Sequence, residues 1–266
     1  MSGYDPDFLG TPLGMPRPTS TAGLIELAYL RFSLILDTRR RLAAVTAVNI
    51  DGRTLQDLPR TGDWDLDPRV PAAVQAGPEV YADNDFDRGH LVRRRDPGWG
   101  TAAEARAATE ATFVYTNAAP QASVFNQSKE LWVGLEDHVL RYADTTDQRV
   151  SVFTGPMLAD ADPPYRGIRI PLRFWKVAAW VEPDAEGAGT LAATGFVLDQ
   201  TELVELGALT AVARLGSFRT FQVPVSDIAA LSGIDFGVLV AADIMPAGTA
   251  RPAQWTPLTV PADIRL

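Results

Sequence analysis

Apolar runs rich in β-branched, aromatic and aliphatic residues alternate along the chain with short polar turns. Two of these runs, residues 29–37 and 42–50, flank the polar stretch Thr38-Arg39-Arg40-Arg41 and predict a β-hairpin. Further apolar runs predict strands at residues 113–115, 150–154, 168–181 and 190–198. The pattern therefore indicates a sheet to which most of the chain contributes.

Three other segments predict helices. Residues 101–109 are rich in alanine and glutamate, and Thr101 is placed to cap the helix. Residues 124–142 carry apolar side chains at helical spacing, and this prediction places Asn126 in the first turn. Residues 225–232 predict a short late helix. Strands and helices mixed in this way predict an α+β fold.

Prolines and glycines mark an N-terminal arm and a long loop region. Residues 1–22 hold four prolines and three glycines, and they predict an extended arm that is a candidate contact with a partner chain. Residues 51–86 lack clear periodicity and predict a long loop region, which in compact domains tends to be functional. No linker-like composition divides the remainder, so residues 23–266 are predicted to form a single domain.

The composition limits the chemistry that the protein can carry. The chain has 266 residues and no cysteine, so a metal ion has to be held by oxygen or by imidazole nitrogen, which favours a hard ion. The most apolar windows, residues 24–36 and 172–181, are interrupted by charged side chains and are not expected to span a membrane. The N-terminus lacks the pattern of a secretion signal, and we therefore expect a cytoplasmic protein.

The overall charge argues against nucleic acid as a partner. The formal net charge is −9 and the pI is about 4.8, which disfavours general attraction to a polyanion. Positive charge is nevertheless concentrated at Arg88 and at the run Arg93, Arg94 and Arg95. Any contact with nucleic acid would therefore have to be made beside these arginines, on a protein that is acidic elsewhere.

One of the two histidines lies in the tetrapeptide Asp87-Arg88-Gly89-His90, while His138 is predicted to be a structural residue. Downstream come Tyr115-Thr116-Asn117-Ala118-Ala119-Pro120-Gln121, then Phe125-Asn126-Gln127, then Leu131-Trp132-Val133-Gly134-Leu135-Glu136. The order and spacing of these segments resemble the signature of the DNA/RNA non-specific endonucleases, which are endonuclease G-like members of the ββα-metal, or His-Me finger, nucleases. The resemblance covers roughly residues 26–245.

The resemblance implies a ββα-metal fold with a central, mainly antiparallel sheet flanked by helices. It implies hydrolysis of phosphodiester bonds in DNA and RNA, with little sequence preference and with 5′-phosphate products. It also implies Mg²⁺ as the cofactor, with Asn126 as its ligand and Mn²⁺ as a substitute. The composition agrees, because Mg²⁺ prefers oxygen ligands and keeps most of its waters.

Hydrolysis needs a base that accepts a proton from the attacking water. The unperturbed pKa of a histidine is about 6.5, so His90 is expected to be mostly neutral at cytoplasmic pH and inactive once protonated. Arg88 is expected to hold the scissile phosphate, because a guanidinium matches phosphate oxygens. Arg93, Arg94 and Arg95 are candidates for further contacts with the nucleic-acid backbone.

Four residues take supporting roles. The resemblance matches Glu136 to a glutamate that accepts hydrogen bonds from metal-bound waters, but its spacing from Asn126 is about two residues longer than expected. Glu130, one turn beyond Asn126, is therefore the alternative. Asn117 either orients the scissile phosphate or holds the loop of His90. Asp87 is expected to brace the backbone around the histidine.

Two other functions stay open at this point. One is a nucleic-acid-binding module with little or no catalysis, and the other is a phosphodiesterase of the same fold that acts on small nucleotides. The presence of His90, Asn126 and an acidic partner together favours the endonuclease. An unselective nuclease endangers its own cell, so we expect control by a homodimer, an inhibitor or an activating partner, as in a bacterial defence or cell-death effector.

Overall fold

A computed structural model describes residues 3–122, 132–183, 189–207, 219–248, 251–252, 255–260 and 263–266. This part of the chain has the α+β architecture that the sequence predicts, with apolar side chains packed on both faces of a central sheet. Within it, no helix combines the length and the apolar character needed to cross a bilayer.

The strands, in chain order, are β1 (Arg17–Pro18), β2 (Leu24–Tyr29), β3 (Phe32–Asp37), β4 (Leu42–Asp51), β5 (Phe86–His90), β6 (Ala118–Ala122), β7 (Arg149–Pro156), β8 (Pro164–Tyr165), β9 (Ile168–Arg169), β10 (Arg173–Glu182), β11 (Thr190–Asp199), β12 (Arg219–Val223) and β13 (Ile234–Asp235). Among the described strands, seven form one antiparallel sheet in the spatial order β12-β11-β10-β7-β4-β3-β2. The mainly antiparallel central sheet is therefore confirmed.

The α-helices, in chain order, are α1 (Pro78–Tyr81), α2 (Ala102–Glu110), α3 (Trp132–Thr145), α4 (Thr201–Gly207) and α5 (Val225–Ser232). Thr101 caps α2, since its side chain accepts a hydrogen bond from the backbone N–H of Glu104, as the sequence predicts. The helix predicted at residues 225–232 is confirmed by α5. The predicted first turn of the long helix, with Asn126, lies outside the described residues.

The central strands bury both of their faces. In β10, Phe174 and Trp180 belong to one buried cluster, while Trp175 and Val177 belong to the other. A strand that is covered on both sides reads as a continuous apolar run rather than as an alternating one. This explains why the sequence revealed the inner strands but not β2, an edge strand with mostly half-exposed side chains.

The prediction of a strand at residues 113–115 is wrong. Only Val114 makes a bridge, to Asp65, and Tyr115–Asn117 form a 3-10 helix instead. The rings of Phe113 and Tyr115 both contact Trp64, so tertiary packing overrides the local β propensity.

Two other strand predictions had the wrong bounds. Residues 168–181 were predicted to form one strand, but they are divided between β9 and β10, because Pro171 cannot donate a hydrogen bond to a ladder. The first hairpin strand begins at Phe32 rather than at residue 29. Arg31 has a φ of 72° and lies in the turn between β2 and β3.

The N-terminal arm packs against its own chain. Leu13 is 1% exposed and belongs to the same buried cluster as Phe153. The Phe8 ring lies 5.6 Å from that of Trp99, and β1 pairs with β13. Phe8 and Leu13 are therefore already buried within the protein, while Leu9 and Met15 stay half-exposed. The division into an arm and a single domain stays a prediction.

A separate two-stranded unit, β5 and β6, stands beside the main sheet. Gln200, which follows β11, attaches it: its side-chain oxygen accepts from the backbone N–H of Ala122 at 3.0 Å, and its amide donates to the carbonyl of Pro120 at 3.2 Å. We call β5 and β6 the finger. It carries the Asp-Arg-Gly-His tetrapeptide.

Candidate active site

The finger places the tetrapeptide on β5, with His90 opposite Ala118 and Asp87 opposite Gln121. Gly89 has no space for a side chain, because a Cβ atom there would lie 2.1 Å from Cδ of Gln121. The Gln121 side chain is itself buried, at 1% exposure. The glycine of the motif therefore allows β5 to lie directly over this glutamine.

Asn117 holds the chain just after His90. It is fully buried, its Oδ1 accepts from the backbone N–H of Val92 at 2.9 Å, and its Nδ2 donates to the carbonyls of Val92 and Thr112, both at 3.0 Å. Its own carbonyl accepts from the N–H of Leu91 at 2.9 Å. These bonds occupy both protons of the amide, which favours loop holding over direct contact with phosphate.

The His90 side chain is half-buried among aromatic rings. Its ring lies 4.5 Å from that of Trp64 and 4.8 Å from that of Phe113, centroid to centroid. Its Nε2 lies 3.3 Å from Oγ1 of Thr112. The imidazole is therefore held on two sides by apolar surface and has one polar neighbour of defined position.

The pKa of His90 is lowered from 6.5 to about 3, first by burial and then by the positive charges of Arg60, Arg94, Arg88 and Arg93. Both causes penalise the imidazolium form. The ring is therefore neutral at pH 7, as the sequence-based expectation requires, but with a much larger margin than an ordinary histidine has.

Two exposed arginines flank these rings. The guanidinium carbon of Arg88 lies 5.7 Å from the ring centroid of Trp64, and that of Arg60 lies 5.5 Å from the ring of Phe113. Within the described part of the chain, neither arginine forms an ion pair with a carboxylate. Their charges are therefore available to an anionic ligand.

Arg94 and Arg95 are both half-exposed and reach the loop that follows β4. Arg94 donates to the carbonyl of Leu58 at 3.2 Å, and Arg95 forms an ion pair with Asp57 at 3.2 Å. These contacts use part of the hydrogen-bonding capacity of each guanidinium. They direct both side chains toward the loop region, residues 51–86, that the sequence marked as functional.

Arg93 has a different environment from its two neighbours. Its side chain is 15% exposed, its Nε lies 3.5 Å from Oε2 of Glu136, and its Nη2 lies 2.5 Å from Oδ1 of Asp137. The arginine run predicted as one phosphate-binding set is thus divided. Arg93 points inward and connects the segment that follows β5 to α3.

Glu136 is the centre of a buried charge network. Its Oε1 lies 3.5 Å from Nζ of Lys176, which is 2% exposed on β10, and Lys176 donates to Oγ1 of Thr154 at 3.1 Å. Burial raises the pKa of Asp96 to about 6, against the attraction of the Lys176 and Arg93 charges. Glu136 therefore faces inward, toward the sheet and the finger, despite its long spacing from Asn126.

Most of the chain, and not only these side chains, matches a known family. The model of the DNA/RNA non-specific endonucleases matches residues 15–243. This chain belongs to the DNA/RNA non-specific endonuclease family. It is an endonuclease domain of that family, and the resemblance seen in the motif series is confirmed.

Two known proteins are similar to this chain. The uncharacterized protein y4fB of Sinorhizobium fredii (strain NBRC 101917 / NGR234) is 36% identical over 99% of this chain but only 42% of its own length, so the chain spans about two fifths of that relative. A chain of an EndoG/EndoGI complex, solved to explain EndoG inhibition, is 19% identical with a TM-score of 0.59. That match covers 79% of this chain and 84% of the other, and it confirms the ββα-metal fold.

The described residues contain no group of three or more histidine, aspartate or glutamate side chains that could hold a metal ion, so of the divalent-ion site that the family resemblance implies they show one carboxylate, Glu136, that could contact a hydrated ion. Glu136 offers carboxylate oxygens, and the chain has no thiolate that would favour a softer metal. Asn126, the predicted ligand, and Glu130, the alternative to Glu136, lie outside the described residues.

Thr112 and four further residues of this site were missed by the sequence analysis. Trp64 and Arg60 lie in the loop region marked as functional, but no motif or spacing singled them out. Lys176 and Asp96 are joined to the site only by tertiary contacts. A lone lysine within the apolar run of β10 was the one available signal, because a charge in a strand buried on both faces needs a partner.

Proposed function

We propose that this chain is a divalent-metal-dependent endonuclease that hydrolyses DNA and RNA without base preference, with His90 as its general base. The observation that carries the proposal is an imidazole kept neutral at the end of β5, with arginine side chains around it. A neutral base can accept a proton from water, and the surrounding positive charge attracts the phosphodiester and stabilises its transition state.

Thr112 supports one tautomer of His90. The single proton of its hydroxyl is donated to the carbonyl of Thr109 at 2.7 Å, so Oγ1 accepts from Nε2 of His90 at 3.3 Å. With a proton on Nε2, the lone pair of Nδ1 is free to take the proton of the attacking water. Asn117 and Asp87 are proposed to act indirectly, by holding the finger backbone that carries this ring.

The arginines are proposed to share the binding of the nucleic-acid backbone. Arg88 is exposed beside the histidine and is assigned to the scissile phosphate, while Arg94 and Arg95 are assigned to neighbouring phosphates. Arg93 is assigned to the positioning of Glu136, because both belong to the buried network. Phosphate contacts carry no base information, which accounts for cleavage with little sequence preference.

The proposed cofactor is Mg²⁺, with Mn²⁺ as a substitute and Asn126 as the protein ligand. When bound, such an ion polarises the phosphate and stabilises the departing 3′ oxygen, which leaves 5′-phosphate ends. Glu136 pairs with Arg93 and Lys176, and its carboxylate is proposed to accept hydrogen bonds from the hydration shell of the ion. Glu130 is the alternative for this role.

Incubation of the purified chain with plasmid DNA and with an RNA transcript tests the proposal. We expect both substrates to be degraded in Mg²⁺ or Mn²⁺, and neither to be degraded in EDTA, because the leaving oxygen then has no counter-ion. Binding of both nucleic acids without any cleavage would favour the binding module. Hydrolysis of short model diesters without plasmid cleavage would favour the small-nucleotide phosphodiesterase.

The dependence of kcat/KM on pH tests the state of His90. An ordinary pKa of about 6.5 would lower kcat/KM by about 25-fold between pH 7 and pH 5. A pKa lowered by burial and by neighbouring arginines keeps the ring neutral over this interval, so kcat/KM is expected to stay nearly constant. Once the anionic substrate is bound, the acid limb of kcat is expected at a higher pH than that of kcat/KM.

Asp96→Asn is the control for this profile, because burial raises the pKa of Asp96 to about 6, within the same interval. An acid limb that disappears in this variant belongs to Asp96. A limb that stays near pH 6.5 in both proteins would contradict the lowered pKa of His90.

The proposal includes control by assembly or by a partner. The EndoG structure describes inhibition of that enzyme within a complex, and an unselective nuclease without control would damage its own cell. We propose that a homodimer, an inhibitor or an activating partner restrains this chain, as in a bacterial defence or cell-death system. A purified monomer that cuts DNA as fast as its larger assemblies would contradict control by assembly.

A further inference from the structure

Trp64 is attached to the active site by its backbone neighbour. The N–H of Asp65 donates to the carbonyl of Phe113 at 3.1 Å, and the carbonyl of Asp65 accepts from the N–H of Tyr115 at 2.9 Å. This bridge ties the long connection between β4 and β5 to the segment that precedes β6. The position of the Trp64 ring relative to His90 is therefore determined by backbone hydrogen bonds and not only by side-chain packing.

The Trp64 ring is packed on one part of its surface and open on another. It lies 4.5 Å from the ring of His90 and 5.5 Å from that of Phe113, yet it keeps part of its surface exposed to solvent. The tryptophans of the core differ, since Trp175 and Trp180 are 0% and 1% exposed. A large aromatic surface that is rigidly held, partly exposed and next to the catalytic base is suited to contact with a ligand.

Two guanidinium groups lie close to this aromatic surface. Arg88 lies over the Trp64 ring and Arg60 lies over the adjoining ring of Phe113. A nucleotide chain presents both complementary features, a flat base and anionic phosphates next to it. Grooves that bind single strands combine aromatic platforms with positive charge in this way.

We propose that Trp64 is the stacking platform for a nucleobase next to the scissile phosphate, and that Arg60 holds the adjoining phosphate. This inference rests on the proposed nuclease function and specifies the form of its substrate. A base inside a duplex has both faces covered by its neighbours, so stacking on Trp64 requires a base that has left its stack. The site therefore selects single strands, or duplexes that open locally, and it does so without sequence preference because every base has a π face.

Binding measured without metal tests this platform independently of cleavage. The full chain in EDTA is titrated into each of two labelled single strands that are ten nucleotides long and equal in charge. One is an oligothymidylate and the other is a chain of abasic deoxyribose phosphates. Fluorescence anisotropy measures the affinity for each strand. We expect the wild-type protein to prefer the oligothymidylate by roughly 10- to 100-fold. Trp64→Leu, which keeps an apolar side chain but loses the ring, is expected to bind both strands equally, and Trp64→Phe to keep most of the preference.

Trp255→Leu is the matched control, because the partly exposed Trp255 contacts Phe221 and Asp227 rather than His90. It is expected to keep the full preference. Arg60→Ala is expected to weaken binding to both strands by the same factor. It is also expected to reduce the slope of log affinity against log salt by about 0.7, the value for one phosphate contact on a single strand.

Equal affinity of the wild-type protein for the two strands would overturn the proposal that Trp64 stacks on a base. So would a Trp64→Leu variant that still prefers the oligothymidylate, since Trp64 would then only shield His90 from water. Neither result bears on the endonuclease assignment, which fails separately if the wild-type chain leaves plasmid and RNA intact in Mg²⁺.

Discussion

Replacement of His90 by alanine is expected to lower the rate of plasmid cleavage by about 10²- to 10⁴-fold, the usual contribution of a general base. The physical reason is the loss of the neutral Nδ1 that takes the proton of the attacking water. Affinity for the oligothymidylate in EDTA is expected to change far less, because the arginines around the site are retained. Initial rates of supercoiled plasmid loss in Mg²⁺ measure the effect.

His138→Ala is the matched control, because it removes the other histidine of the chain. His138 lies half-buried on α3, and burial together with Arg141 lowers its pKa, so its side chain is also neutral at pH 7. Its loss is expected to leave the cleavage rate within a few-fold of wild type. Added imidazole is expected to restore part of the activity of His90→Ala but not to accelerate the wild-type protein. If His90→Ala cleaves within a few-fold of wild type, the assignment of the general base is wrong.

Lys176→Met is expected to destabilise the protein by about 3 kcal/mol, because removal of one partner leaves a buried carboxylate uncompensated. The network then keeps Arg93 as its cation against Glu136, Asp96 and the more exposed Asp137. Urea unfolding at pH 8 measures the change in free energy. We also expect the cleavage rate to fall roughly 10- to 100-fold, since Lys176 helps to hold Glu136 near the proposed ion.

Two variants separate the charge effect from the loss of packing. Lys176→Met combined with Asp96→Asn removes one negative charge together with the positive one, which keeps the net charge of the wild-type network, and the double variant is expected to regain much of the lost stability. Arg17→Met breaks the exposed ion pair with Glu26 and is expected to have little effect, because such pairs contribute little to stability.

The pH dependence of the Lys176→Met effect gives a further check. Asp96 has a raised pKa, so it becomes neutral in the folded protein as the pH falls below about 6, and the uncompensated negative charge is then removed. The destabilisation is therefore expected to be smaller at pH 5 than at pH 8. A cost that is equal at both pH values would mean that lost packing, and not charge, determines it.

The sequence by itself determined the family, the α+β class, most of the inner strands and the tetrapeptide with His90. These features depend on the order and spacing of residues along the chain, which a linear pattern displays directly. The helices α2 and α5 were predicted for the same reason, since capping and apolar spacing act within a few residues.

Only the tertiary structure decided which charged and aromatic residues pair inside the protein and which lie beside His90. Arg93 and Arg94 are adjacent in sequence, yet one pairs inside the protein with Glu136 while the other bonds to the carbonyl of Leu58. Trp64 reaches His90 across a long loop, and Lys176 reaches Glu136 from a distant strand. Contacts between residues far apart in the chain leave no periodic signal in the sequence, and the low pKa of His90 follows from such contacts and from burial.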